Sequence, residues 1–171
     1  MADQEQIWHV DENDTPIGPV GRDDSRKQGL RYRIVRVSVE DGNGNVLLQK
    51  RSLSKKTYPG YWDTSAGGNI DYPESYEVAA KRELFEEIGI KADTLEEVAY
   101  FYAEAVDPIG NKMNRFTKVY RLVVTSNVAL ALGEEVSEVQ WIPISELQGI
   151  RDQGIVTDGL SQTIEHYYAQ A

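Results

Sequence analysis

"GGNIDYPESYEVAAKRELFEEIGI", running from Gly67 to Ile90, sets a helix signal beside an electrostatic conflict. Asp71 can cap, Pro73 suits a first turn, and Glu74 stands three residues on as in a capping box. Gly89 supplies the stop, because glycine accepts the left-handed conformation at a helix C-terminus. The spacing predicts a helix from about Pro73 to Ile88. On it, Glu83, Glu86 and Glu87 share one arc near the C-terminus, where the helix dipole already presents negative charge. Like charges three or four residues apart cost roughly 0.2–0.5 kcal/mol each, and the dipole adds about 0.3–1 kcal/mol per charge. Arg82 offsets one of them. A divalent cation would offset all three, and oxygen ligands suit Mg²⁺ or Mn²⁺. The competing reading is a solvated acidic face. Val78, Leu84, Phe85 and Ile88 spread over more than one side, which predicts a helix sandwiched between layers with its acids facing a cleft.

The rest of the chain bounds what such a helix can serve. At 171 residues, 40% hydrophobic and 27% charged, the composition is that of one globular domain. No apolar run approaches the roughly 20 residues that cross a bilayer, and the acidic start, MADQEQIWHVDEND, lacks the apolar core of a secretory signal. Without cysteine there is no disulfide, thiolate ligand or thiol nucleophile, so a cytoplasmic setting is the default. A net charge of −10 argues against nucleic-acid polymers and membrane surfaces as partners. It leaves room for a small phosphorylated substrate.

Residues 1–29 read as a polar N-terminal extension, with a hairpin over His9–Gly18 turning at Asn13-Asp14-Thr15-Pro16. The main domain takes residues 30–171. Arg31–Glu40 and Val46–Lys50 read as antiparallel strands about the turn Asp41–Asn45, and Trp62–Ala66 as a short strand. Thr94–Ala105 and Phe116–Thr125 form a second hairpin, Glu138–Ile142 a further strand, and Thr157–Ala169 a closing helix. Many strands with few helices between them suggest a mixed sheet covered by helices, not a doubly wound parallel one.

From Gly68 the chain reads G, five residues, Glu74, seven residues, Arg82-Glu83, Leu84, one residue, Glu86-Glu87, one residue, Gly89, Ile90. This resembles the Nudix box, G-x5-E-x7-R-E-U-x-E-E-x-G-U, at every position. Pro59-Gly60-Tyr61-Trp62 also resembles the family's loop end before the box. The resemblance implies an α/β fold, the Nudix α/β/α sandwich, with a mixed β-sheet and the catalytic loop-helix between layers. It also implies metal-dependent hydrolysis of a diphosphate linkage in a nucleoside diphosphate derivative or related small molecule. Carried over residue by residue, Glu83, Glu86 and Glu87 are the metal-ligand set, joined by the Gly67 carbonyl. Arg82 orients the glutamates, and Glu74 braces the loop or caps the helix. The proton acceptor is Glu83, or else Glu134 or Glu135 in the loop before Trp141, which read equally well as a solvated turn. The family leaves a homodimer open.

"KRSLSKKTYPGYWD" (Lys50–Asp63) and "VDENDTPIG" resemble the isopentenyl-diphosphate isomerase branch, in which residues matching Arg51 and Lys55 contact the substrate diphosphate. A guanidinium fork and a point charge suit that task. The isomerase chemistry itself is not carried: its cysteine falls near Gly67, its histidine ligands match Arg31 and Asn69, and its acidic pair is replaced around Met113–Arg115. An isomerase-like enzyme and a silent diphosphate-binding domain remain the alternatives to the hydrolase, and the intact box weighs against the silent domain.

Overall fold

The structure is a computed structural model that describes residues 4–170, so residues 1–3 of the extension and Ala171 lie outside it. The chain opens with an antiparallel pair, β1 (Gln6–Val10) and β2 (Pro16–Gly21), and a short helix α1 (Arg22–Gln28). There follow β3 (Arg31–Glu40), β4 (Asn45–Arg51), β5 (Trp62–Asp63), β6 (Ala66–Asn69), α2 (Tyr76–Ile88), β7 (Glu96–Val106), β8 (Lys112–Val123), β9 (Val136–Pro143), α3 (Leu147–Asp152) and α4 (Asp158–His166). β3 is the spine: it runs parallel to β8 over Arg31–Glu40 and antiparallel to β6 on its other edge, while β4 carries β5 and β9. The sheet is mixed, as expected.

Alternation along the strands separates two apolar layers. Val35, Val37, Val39 and Leu47 face α2 and meet Ala79, Ala80, Leu84 and Ile88. Val46 and Leu48, of opposite parity, face α3 and α4 and meet Leu147, Leu160 and Ile164. Helices on both faces of the sheet make the α/β/α sandwich. Burying Leu84 and Ile88 contributes about 1.5–3 kcal/mol each, more than the charge crowding on α2 removes. The anticipated spread of apolar contacts around α2 is corrected, however: Val78 and Phe85 are about half exposed, so the helix packs through one face.

Three elements depart from the sequence reading, each for a local reason. α2 starts at Tyr76 under a Ser75 cap, whose hydroxyl accepts from Val78 N–H at 3.2 Å. The chain near Asp71 is committed elsewhere, since Tyr72 N–H donates to Gln6 and Trp8 Nε1–H to the Glu74 carbonyl. The strand expected over Trp62–Ala66 is two strands on different partners. Between them Ser65 Oγ wedges β3 from β4, accepting from Val39 N–H at 2.8 Å and donating to the Leu47 carbonyl at 2.5 Å. The closing helix ends at His166, and Tyr167 and Tyr168 both swing their hydroxyls to Glu40 Oε1, at 2.9 and 3.1 Å. α1 and α3 were not anticipated; each buries a single side chain, Ser25 and Leu147, so neither has an apolar period to read.

Within the extension, β1 and β2 join the same sheet. His9 pairs with Tyr32, Ile7 bridges to Asp71, and Ile7 and Val10 are buried. Asp14, at φ 62, pins the hairpin turn: its carboxylate accepts from the Tyr76 and Tyr100 hydroxyls, each at 2.8 Å, and pairs with Arg33 Nε at 2.6 Å. Asp14→Ala strands two hydroxyls and a half-buried guanidinium. It is expected to destabilise the protein by about 2–4 kcal/mol, read as a lower urea midpoint at unchanged m-value. An unchanged midpoint would show that the turn is not anchored there.

Candidate active site

Where β3 and β4 part, beyond the Val39–Leu47 pair, a cavity of about 790 Å³ opens. Its α2 side presents Gln49, Gly67, Gly68, Glu83 and Glu87, and its α4 side presents Arg36, Asp63, Arg115 and Asp158. Cations of α1, among them Arg22 and Arg26, stand on its rim.

Glu87 is buried and held from both sides, Gly67 N–H donating to Oε1 at 3.0 Å and Gln49 Nε2 to Oε2 at 2.5 Å. Glu83, one helical turn earlier, lies against Gly68, where a Cβ would come within 2.3 Å of its carboxylate and push it aside. Burial first, and then the neighbouring Glu87, push the Glu83 carboxyl up to about 8 despite the Arg82 guanidinium. Burial likewise raises Glu87, against the hydrogen bonds it accepts. Arg82 fans across four oxygen-bearing groups: Glu74 at 2.7 Å, Glu83 at 2.9 Å, the Asn69 carbonyl at 3.2 Å and Glu86 at 3.3 Å. Glu74 in turn accepts from Asp71 N–H at 3.2 Å, so it braces the loop ahead of the helix rather than capping it.

The three glutamates are not brought together. Glu86 is 57% exposed, turned onto Arg82 and away from the cavity. Among the described residues no three acidic or histidine side chains gather as a ready cage. Arg51 and Lys55 do line the cavity, but both are engaged. Arg51 donates to the Thr57 carbonyl at 2.9 and 3.1 Å and lies 3.5 Å from Asp63, while Lys55 pairs with Glu135 at 2.9 Å. Glu134 and Glu135 reach the cavity wall from an exposed loop. That loop is docked on the end of α2, Ala131 N–H donating to the Ile88 carbonyl and Gly133 N–H to that of Glu87.

Sequence reasoning missed Gln49, Arg36, Asp63, Arg115 and Asp158. Asp63 is buried, accepting from Thr157 Oγ1 at 2.9 Å and lying 3.6 Å from Arg36. Arg115 is buried and hydrogen-bonds Asp158. The available signal was a charged residue at an inward strand position: Arg36 interrupts the apolar run of β3, and Gln49 continues the parity of Leu47.

The donor set fits a hard divalent cation. Two carboxylates with raised pKa values face one cavity, a surplus of negative charge that ordinary side-chain pairing does not relieve. Gly67 sits opposite Arg36 in the antiparallel ladder with its N–H spent on Glu87, so its carbonyl points to the same edge and adds a third oxygen.

A family model described as the NUDIX domain matches residues 30–159. The chain is 38% identical over 141 residues to a Nudix hydrolase of Pseudomonas aeruginosa, covering 82% of this chain and 80% of that protein. It is 32% identical over 141 residues to isopentenyl-diphosphate Delta-isomerase 2 of Photorhabdus laumondii, covering 82% and 78%. A crystal structure from Deinococcus radiodurans superposes with a TM-score of 0.77 at 26% identity, covering 94% of this chain and 98% of that one.

Proposed function

The chain belongs to the Nudix family and is a pyrophosphate-cleaving hydrolase, and from that membership we propose that it cuts the diphosphate linkage of a nucleoside diphosphate derivative or related small molecule in a reaction requiring Mg²⁺ or Mn²⁺. The observation that carries this reading is the buried Glu87 beside Gly67, with Glu83 next to it on the cavity. A bound divalent cation supplies neutralisation of the diphosphate charge and a water of lowered pKa. The protein contributes position. Gln49 and Gly67 fix the Glu87 oxygens, Arg82 orients Glu83, and the same guanidinium holds Glu86. Glu83 is the favoured proton acceptor, because it lines the cavity beside Glu87 and Gly68 and burial raises its proton affinity, whereas Glu135 is spent on Lys55. Arg51 and Lys55 stand on the wall that a diphosphate would pass, and their present partners would exchange for it.

Kinship to an isomerase gives the second reading. It lacks a thiol: the chain has no cysteine, and by the resemblance the isomerase cysteine would fall near Gly67. The cysteine-free composition supports a cytoplasmic setting. Among the described residues no helix is long and apolar enough to cross a membrane. A screen of nucleoside diphosphate derivatives and isoprenoid diphosphates with Mg²⁺ or Mn²⁺ is expected to release phosphate-bearing products from at least one compound and to give none in EDTA. Turnover of nothing in the panel would refute the hydrolase reading, and isomerisation of isopentenyl diphosphate would install the second in its place.

A further inference from the structure

Arg36 projects from β3 on the face opposite Val35 and Val37, into a slot walled by two glycines. A Cβ at Gly67 would meet Arg36 Cδ at 2.8 Å, and one at Gly159 would meet Nη2 at 2.3 Å. The side chain is 11% exposed, and its nearest anion, Asp63 Oδ1, lies 3.6 Å away, beyond hydrogen-bond reach. Among the described residues the Arg36 side chain donates no hydrogen bond, and its Nε is buried without a partner. A guanidinium carries five N–H donors in a fixed fork, and a buried donor left without an acceptor keeps its full desolvation penalty. Such a group is stable where something else takes the donors, and the Arg36 side chain lines the cavity.

Two further observations say what would take them. Arg36 stands directly across the ladder from Gly67, whose N–H binds Glu87, so the guanidinium and the carboxylate pair are neighbours on one cavity. Arg115, 4% exposed, lies on the same cavity with Nε also unpartnered, although its Nη2 is bonded to Asp158. Asp158 and Gly159 open α4, so the two arginines meet at that helix start.

We propose that Arg36, supported by Arg115, binds the substrate phosphoryl group that lies beyond the glutamates, so that the protein selects diphosphates gripped at both phosphates over phosphomonoesters. This rests on the hydrolase reading for the position of the first phosphate. A planar fork takes two phosphate oxygens at once, and a phosphate would complete the donors that Asp63 stands too far away to accept. Arg36 is thereby a specificity-determining contact on a strand where the family motif places nothing.

The test is binding without turnover. Methylenediphosphonate, which cannot be hydrolysed at its bridge, and orthophosphate are titrated calorimetrically into the protein in EDTA at mildly acidic pH. Methylenediphosphonate is expected to bind more tightly than orthophosphate. Arg36→Met should weaken it at least about tenfold, as loss of a charge-assisted hydrogen bond predicts, with partial rescue by Arg36→Lys. In the unmutated protein, the Arg36 Nε–Hε resonance should move on titration, a readout that stands even where the Met variant fails to fold. Equal binding by the Met variant, or an Arg36 resonance that does not move, overturns the proposal. Arg36-dependent binding in a protein that hydrolyses nothing would sink the hydrolase reading and leave the anion site standing. Hydrolysis that is indifferent to Arg36 would do the reverse.

Discussion

Glu87→Gln is expected to lower kcat by about 10²–10⁴-fold with little change in thermal stability, the range set by loss of acid–base or metal-ligating groups. The reason lies in how the carboxylate is held. Each of its oxygens accepts one hydrogen bond, from Gly67 N–H and from Gln49 Nε2. A glutamine has one oxygen, so its amide nitrogen must face a donor, and the side chain turns out of register. Removing a buried charge favours folding, while breaking one hydrogen bond opposes it, and the two effects are of similar size. Glu86→Gln is the internal comparison. Its carboxylate is more than half exposed and among the described residues hydrogen-bonds only Arg82, so a smaller loss, about tenfold, is expected from steady-state kinetics in Mg²⁺. If the two variants lose activity equally, Glu86 swings fully into the site in the working enzyme. If neither loses activity, the catalytic assignment of the box falls.

That contrast marks how far the sequence could be read. The motif from Gly68 to Ile90 located the helix, its stop and the carboxylates, because those depend on spacing along a single element. Which glutamate faces the cavity depends on the neighbours. Leu84 and Ile88 fix the buried face of α2, and Glu87 falls just inside its edge while Glu86 falls outside. The opposite wall was illegible for the same reason. Arg36, Asp63, Arg115 and Asp158 come from β3, β5, β8 and the start of α4, and it takes the β3–β8 pairing, the β4–β5 pairing and the Trp62–Val156 bridge together to bring them to one cavity. The hairpin of the extension was readable from its turn residues. Its tie to α2 was not, since Asp14 meets Tyr76 and Tyr100 across 62 and 86 residues of chain.

Glu83 shows how binding chemistry is kept at the expense of stability, and Glu83→Gln should expose it. In the metal-free fold its carboxyl sits at about 8 against 4.5 when free of the fold, because burial and Glu87 disfavour its charge. For an acid whose pKa is raised by folding, the native state binds more protons between the two values. Its contribution is therefore intact below 4.5 and is lost as pH rises to about 8. Metal-free wild type should lose stability across that window, and Glu83→Gln, which has nothing to ionise, should lose less. The variant is then expected to be more stable than wild type by about 2–4 kcal/mol at the alkaline end, and nearly equal to it at the acidic end. Saturating Mg²⁺ should reverse the order, because a ligand that binds only the native state adds stability in proportion to its occupancy, and the glutamine has no charge to offer it. Urea titrations in EDTA and in Mg²⁺ across this pH range measure both halves. Parallel pH profiles for the two proteins would mean that Glu83 is not strained by its surroundings. A stability gain in EDTA that persists unchanged in Mg²⁺ would mean that the strain exists and that the cation does not relieve it at this residue.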